Sequence, residues 1–271
     1  MNGASREALA AARESLDALT DNTSVDAAKL AEELAAVTAL LQREVSLRRV
    51  LTDPSQPGEA RAELAGRLLR GQVGGETVDL ISGMVRSRWS QSRDLVDSVE
   101  ELANTADLTA AQRSGDLDDV EDELFRFGRI VASDKELRAA LTNRSASASA
   151  KGQLLHSLLG GKAQPATERV VTRLVTQPRG RSLEEGLESL SKLAAERRER
   201  MVAVVTSAVP LSDRQKQRLG DALAKIYGRP MHLNLDVDPM VLGGIAVRVG
   251  DEVIDGTISE RLEEASRRMA G

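Results

Sequence analysis

Residues 30–86 and 120–176 carry the same pattern at a constant offset of 90, so whatever the first segment folds into, the second must fold into as well. The stripe Leu30, Leu34, Val37, Leu41 returns as Val120, Leu124, Phe127, Val131. Both have the i, i+4, i+7, i+11 spacing that puts four side chains on one buried helix face. Leu47, Arg48, Leu51 and Thr52 reappear unchanged as Leu137, Arg138, Leu141 and Thr142. Leu64, Leu68, Leu69, Gly71 and Thr77 return as Leu154, Leu158, Leu159, Gly161 and Thr167, and Leu80, Ile81, Met84, Val85 as Val170, Val171, Leu174, Val175. A shared apolar bias would scatter such matches; it does not hold them in register. Near Arg93 the register shifts: Leu95, Val99 and Leu102 parallel Leu183, Leu187 and Leu190 at an offset of 88, the trace of a loop deletion.

Gly, Pro and Ser clusters punctuate both copies, at 53–58 and 71–75 in the first and 143–149 and 160–165 in the second. Each copy therefore reads as a small helical bundle, the first over 1–105 and the second over 106–199. From about Arg200 the apolar period falls from helical to two, the signature of strands. Val202, Val204, Thr206 and Ala208 share one face of a first strand. Pro210 then stops it, and Ser212 with Gln215 forms a capping box for a helix that carries Leu219, Leu223 and Ile226 inward. Gly228 ends that helix. Met231, Leu233, Leu235 and Val237 alternate with polar residues as a half-buried strand, and Ile245, Val247 and Val249 continue the pattern. A two-residue turn at Gly250–Asp251 leads into a strand from Glu252 to Thr257, and Ile258, Leu262, Ala265 and Met269 mark a terminal helix. The expected fold is mainly α: two tandem helical bundles followed by a small α+β domain over 200–271.

Composition narrows the function. Hydrophobic residues make up 41% of the 271 positions but aromatics only 1%, so the cores are built from Leu, Val, Ile and Ala, with little for a base-stacking platform. A net charge of −5 leaves no broad basic footprint for nucleic acid. With no cysteine, disulfides, thiolate nucleophiles and thiolate-bound zinc are excluded. The longest uncharged stretch, Met201 to Ser212, is too short for a membrane helix, and the N-terminus offers no apolar signal core.

Candidate chemistry is sparse. Gly243, Gly244, Gly250 and Gly256 suggest an anion cradle, but neither a Walker pattern nor a GxGxxG spacing accompanies them, and turns explain them better. Asp251 and Asp255 read as turn formers and caps before they read as an acid–base pair. His156 and His232 fall in different expected domains and assemble no metal site. The acidic run Asp116, Asp118, Asp119, Glu121, Asp122, Glu123 lacks the glycine of a calcium loop and suits the electropositive start of a helix. Arg197, Arg198 and Arg200, interrupted by Glu196 and Glu199, read as a solvated face. Trp89, the sole tryptophan, either anchors an interface or plugs a bundle end. No catalytic, cofactor-binding or metal-binding residue is assigned.

The strings VVTSAVPLS (Val204–Ser212) and LGGIAVRVGDEVIDGTI (Leu242–Ile258), at their mutual spacing, resemble the delta-subunit family of bacterial F-type ATP synthases and its mitochondrial relative, the oligomycin-sensitivity-conferring protein. In that family the pattern joins a strand, a helix and a Gly-Gly strand ending in an Asp-Gly turn; Pro239, Gly243, Gly244, Gly250, Asp255 and Gly256 occupy those positions here. The segment 107–199 looks like the family's N-terminal bundle, and the extra copy over 1–105 resembles the doubled N-terminal region of actinobacterial members. The resemblance implies a non-catalytic stator of the peripheral stalk, needing no cofactor, on the cytoplasmic face of the cell membrane. It links the alpha/beta head to subunit b so that rotor torque drives ATP synthesis. It also implies that the bundle accepts amphipathic N-terminal helices of the alpha subunits, with the beta subunit a further neighbour, and that the C-terminal part meets subunit b. The groove for the alpha helices is expected at Leu9, Ala12 and Leu16 with Leu95, Val99 and Leu102. The contact for subunit b is expected at Val241, Leu242, Gly243, Gly244, Ile245, Val247 and Val249. Two other classes stay open from sequence: a helical adaptor or regulator, and an enzyme using the glycine-rich C-terminal domain.

Overall fold

A computed structural model describes residues 2–22, 24–199, 201–227, 231–239, 241, 243–249 and 252–255. The expected terminal helix (Ile258, Leu262, Ala265, Met269), the Gly250–Asp251 turn, Gly228, Leu242 and Gly256 lie outside the described residues. Two compact units are present, one of Met1–Thr20 with Asp26–Arg198, the other of Asp21–Val25 with Glu199–Gly271.

The first unit is all helical: α1 (Gly3–Asp21), α2 (Ala27–Arg43), α3 (Val45–Leu51), α4 (Gly58–Leu69), α5 (Gly75–Arg86), α6 (Ser92–Ser114), α7 (Leu117–Ser133), α8 (Lys135–Thr142), α9 (Ala148–Leu159), α10 (Pro165–Thr176) and α11 (Leu183–Glu199). The gaps after α3, α4, α8 and α9 fall at the expected Gly, Pro and Ser clusters. The stripes of the sequence are the buried faces: Leu30, Leu34, Val37 and Leu41 on α2, and Val120, Leu124, Phe127 and Val131 on α7.

The duplication reaches the level of single hydrogen bonds. On α2 the Glu33 carboxylate accepts from the Gly74 amide at 2.9 Å and from the Thr77 hydroxyl at 2.5 Å. Ninety positions on, Glu123 of α7 accepts from the Gln164 amide at 3.0 Å and from Thr167 at 2.5 Å. Each carboxylate thus satisfies the otherwise orphaned amides at the start of α5 or α10, where the helix dipole favours a negative charge. The paired glycines match too, Gly71 at φ +79° and Gly161 at φ +68°, a left-handed conformation in which a Cβ would be strained.

Helix α6 is continuous across residue 105. At 23 residues it spans about 34 Å. Leu95, Val96, Val99 and Leu102 in its first half are buried, while Leu108 and Ala111 in its second half join the core built from α7, α8, α9, α10 and α11. Gly115 at φ +85° ends it, its amide returning to the last turn. Where α11 crosses α10, a Cβ on Gly186 would stand 2.2 Å from Leu174 Cδ1, so any other residue there would displace the Leu174 side chain. The acidic run opens α7 with Asp118 and Asp119 in its first turn, as expected. Trp89 is buried and its indole N–H donates to the Met84 carbonyl at 2.8 Å; it is a plug.

The second unit carries β1 (Met201–Ser207), α12 (Asp213–Tyr227), β2 (Met231–Val237), β3 (Ile245–Val249) and β4 (Glu252–Asp255). The sheet order is β2-β1-β3-β4, with β1 parallel to β2 and antiparallel to β3. The capping residue acts as expected: Gln215 Oε1 accepts from the Ser212 amide at 2.9 Å. The buried face of β1 is Ala203, Val205 and Ser207, with Val204, Thr206 and Ala208 only half-buried. One detail differs from the sequence reading, the inward place expected of Ile226. Ile226 is 66% exposed, and Tyr227 packs on the core with Leu219 and Leu223 instead. An i, i+4, i+8 progression stays over the sheet, whereas the shorter step to Ile226 turns it away.

Candidate functional site

Chain order and helix packing converge on α6. Along one side it bears Asp97, Glu100, Asn104 and Asp107, spaced so that a helix lines them up. Asp107 is fully buried, taking Arg173 Nη2 at 2.8 Å and Arg169 Nε at 2.5 Å from α10. Arg173 also donates to Asn104 Oδ1 at 2.5 Å. One turn earlier, the loop between α10 and α11 brings Arg179 to Asp97 at 2.9 Å and against Glu100, and Arg181 to Glu100 at 2.5 Å. From α11, Arg197 reaches Asp17 of α1 at 2.8 Å and Gln112 of α6 at 2.7 Å, and Arg198 reaches Glu121 at 3.0 Å. The sequence assigned Arg197 to a solvated face; it is buried, because α11 folds back over α1 and α6. Arg200 lies outside the described residues.

Of these, the Arg179, Arg181 and Arg197 pairs join elements of the two repeat copies, while Arg169, Arg173 and Arg198 pair within the second copy. Burial lowers the Arg179 pKa to about 10, with Asp97 opposing and Arg181 and Arg93 adding to the decrease; burial lowers that of Arg181 too. Both guanidiniums stay charged at neutral pH. Carboxylates held this way serve as fixed counter-charges, not as proton shuttles.

The expected partner residues occupy two places. On the helical unit, the Ser5 hydroxyl donates to Asp94 at 2.7 Å and Arg13 Nε to Glu101 at 2.6 Å. These ties lay α1 along α6, with Leu9 and Ala12 between them on one helix and Leu95 and Val99 on the other. Together with Leu16 and Leu102, all six are buried. On the second unit, Val241 is half-buried, Gly243 and Gly244 adopt φ of +72° and +89°, and Ile245, Val247 and Val249 face the unit's own core. β3 is an inner strand, and the outer strands are β2, which Asn22 bridges at Leu235, and β4. Pro239 is exposed just beyond β2, and Asp255 ends β4. His156 is exposed and pairs through Nδ1 with Glu168 at 2.7 Å; the side chain of His232 lies outside the described residues.

The family model described as ATP synthase delta (OSCP) subunit matches residues 104–269, the second helical copy together with the sheet domain. The chain belongs to the ATP synthase delta (OSCP) family. It is similar along its whole length to proteins called ATP synthase subunit delta. That of Streptomyces griseus subsp. griseus is 86% identical over 271 residues, covering 100% of both chains. That of Streptomyces coelicolor is 77% identical over 270 residues, covering 100% of this chain and 98% of the relative. That of Thermobifida fusca is 49% identical over 271 residues, again covering 100% of both. These delta subunits therefore share the additional helical copy that the family model leaves out. As a delta (OSCP) subunit, the chain is a peripheral-stalk component of the F-type ATP synthase and is not catalytic by itself. No described helix is long and apolar enough to cross a membrane.

Proposed function

We propose that this delta subunit is the coupling piece between the catalytic head and subunit b, with the amphipathic N-terminal helices of the alpha subunits held against the helical unit and subunit b against the C-terminal sheet domain. In this reading the chain sits peripherally on the cytoplasmic face of the membrane, with the beta subunit a neighbour at the head. The observation that carries it is the single helix α6, whose two halves are buried in successive repeat copies. A stator must transmit load without yielding, and one continuous helix clamped by buried ion pairs has no hinge at the junction of the copies. The chain then divides functionally into 1–105, 106–199 and 200–271, with the first boundary lying inside a rigid strut.

The face for an alpha helix is the α1–α6 seam of Leu9, Ala12, Leu16, Leu95, Val99 and Leu102, which an incoming helix reaches by docking beside α1 or by displacing it. The face for subunit b is the Val241–Gly244 approach to β3, supported from beneath by Val247 and Val249. The second unit also leaves Val209, Ile226, Val237 and Val253 exposed, apolar surface that a permanent partner would cover. A photo-crosslinking residue at Val241 is expected to capture subunit b in the assembled enzyme, and one at the exposed Ala10 of α1 an alpha subunit N-terminus. Capture of neither partner, or of the opposite partner at each position, would overturn the assignment.

A further inference from the structure

Arg48, Arg93 and Arg179 converge on one cavity of about 180 Å³, bounded also by Gln42, Val96 and Asp97. The internal repeat supplies a control for what Arg48 does there. Its counterpart in the second copy, Arg138, is spent on capping the preceding helix: Nε donates to the Val131 carbonyl at 3.2 Å and Nη2 to that of Ala132 at 2.8 Å. Arg48 departs from that role, and its Nε is buried with no hydrogen-bond acceptor. The Gln42 Oε1 at the same wall is also buried and without a donor. Arg179, with a side chain 5% exposed, spends Nη1 on Asp97 at 2.9 Å and Nη2 on Glu100, while its Nε is buried with no acceptor. It is, moreover, the one non-glycine residue with positive φ among those described, at +48°, a strained backbone of the kind that persists where surroundings hold a side chain in place.

Charge points the same way. Asp97 lines the cavity and Glu100, buried beside it, is shared by Arg179 and Arg181, so four guanidiniums meet two carboxylates and the site keeps a positive excess. Buried donors without acceptors are costly, and a planar N–H fork matches a tetrahedral oxyanion. We propose that this cavity, at the junction of the two repeat copies, is a binding site for a small oxyanion of the phosphate class. Arg48 and Arg179 are the inner donors, Arg93 closes the outer side, and Gln42 Oε1 accepts a hydrogen bond from the hydroxyl of a monohydrogen anion. The site is independent of which polypeptides the chain meets.

The test is calorimetric titration of the full chain with inorganic phosphate, against chloride at the same ionic strength. A saturable phosphate signal with one site per chain is expected. Arg48→Gln and the exposed-position variant Arg93→Gln should each weaken it by about tenfold or more, the loss of a charge-assisted contact. Arg138→Gln, the counterpart in the second copy, should leave affinity unchanged while lowering thermal stability. Absence of a saturable signal would overturn the proposal. So would Arg48→Gln and Arg93→Gln proteins, helical by circular dichroism, that bind phosphate as the parent does.

Discussion

Replacing Asp107 by Ala is expected to cost about 3 to 5 kcal/mol of folding stability, the loss typical when one member of a buried ion pair is removed and the other stays. Asp107 is 0% exposed and its two oxygens take Arg169 and Arg173, the latter 7% exposed. Without the carboxylate, Arg173 retains only Asn104, a neutral acceptor, in a site it cannot leave without opening α10 from α6. Urea unfolding of the parent and variant would read the change as a lower midpoint at unchanged slope. Replacing both Asp107 and Arg173 by Leu should recover most of the loss, because apolar packing of similar volume substitutes for the pair. A single-variant cost below about 1 kcal/mol would mean the contact behaves like a solvated surface pair.

Leu102→Ala should cost about 2 to 5 kcal/mol, the transfer and cavity terms of truncating a closely packed leucine. Leu102 is 0% exposed on α6, and its repeat counterpart Leu190 on α11 should show a cost of the same order. The measurement separates two pictures of the α1–α6 face. A full core penalty says that α1 covers the face in the free protein, so an alpha-subunit helix must dock beside α1 or displace it. A cost under about 1 kcal/mol would mean that the face lies open in solution.

The sequence was most legible where local periodicity and repetition acted together. The stripes on α2 and α7 and the breaks around Gly71 and Gly161 mark real features, since burying a helix face and turning a chain back depend on nearby residues. The Glu33 and Glu123 caps were within reach of the same comparison, because they too recur at 90 residues, but a carboxylate on a helix ordinarily reads as solvated. For that reason the polar line Asp97, Glu100, Asn104, Asp107 was missed: its partners come from Arg169 to Arg181, and only tertiary packing decides whether a charge is paired in the interior or left in water. Arg197 was misread for the same reason, its partners Asp17 and Gln112 lying on α1 and α6. In the second unit the alternation of β1 was plain, but Val202, Val204 and Thr206 look as apolar as Ala203 and Val205, so which face met α12 depended on the helix. The expected partner residues are the least legible of all, because a stripe facing its own core and a stripe awaiting a partner have one pattern.

The central claim, that this chain joins head to stalk, is tested most directly by tagging it at its C-terminus in its own host, purifying it from gently solubilised membranes and identifying what accompanies it by mass spectrometry. Alpha, beta, gamma and subunit b are expected in constant ratio with the chain. Recovery of the chain alone, or with polypeptides unrelated to the ATP synthase, would contradict it.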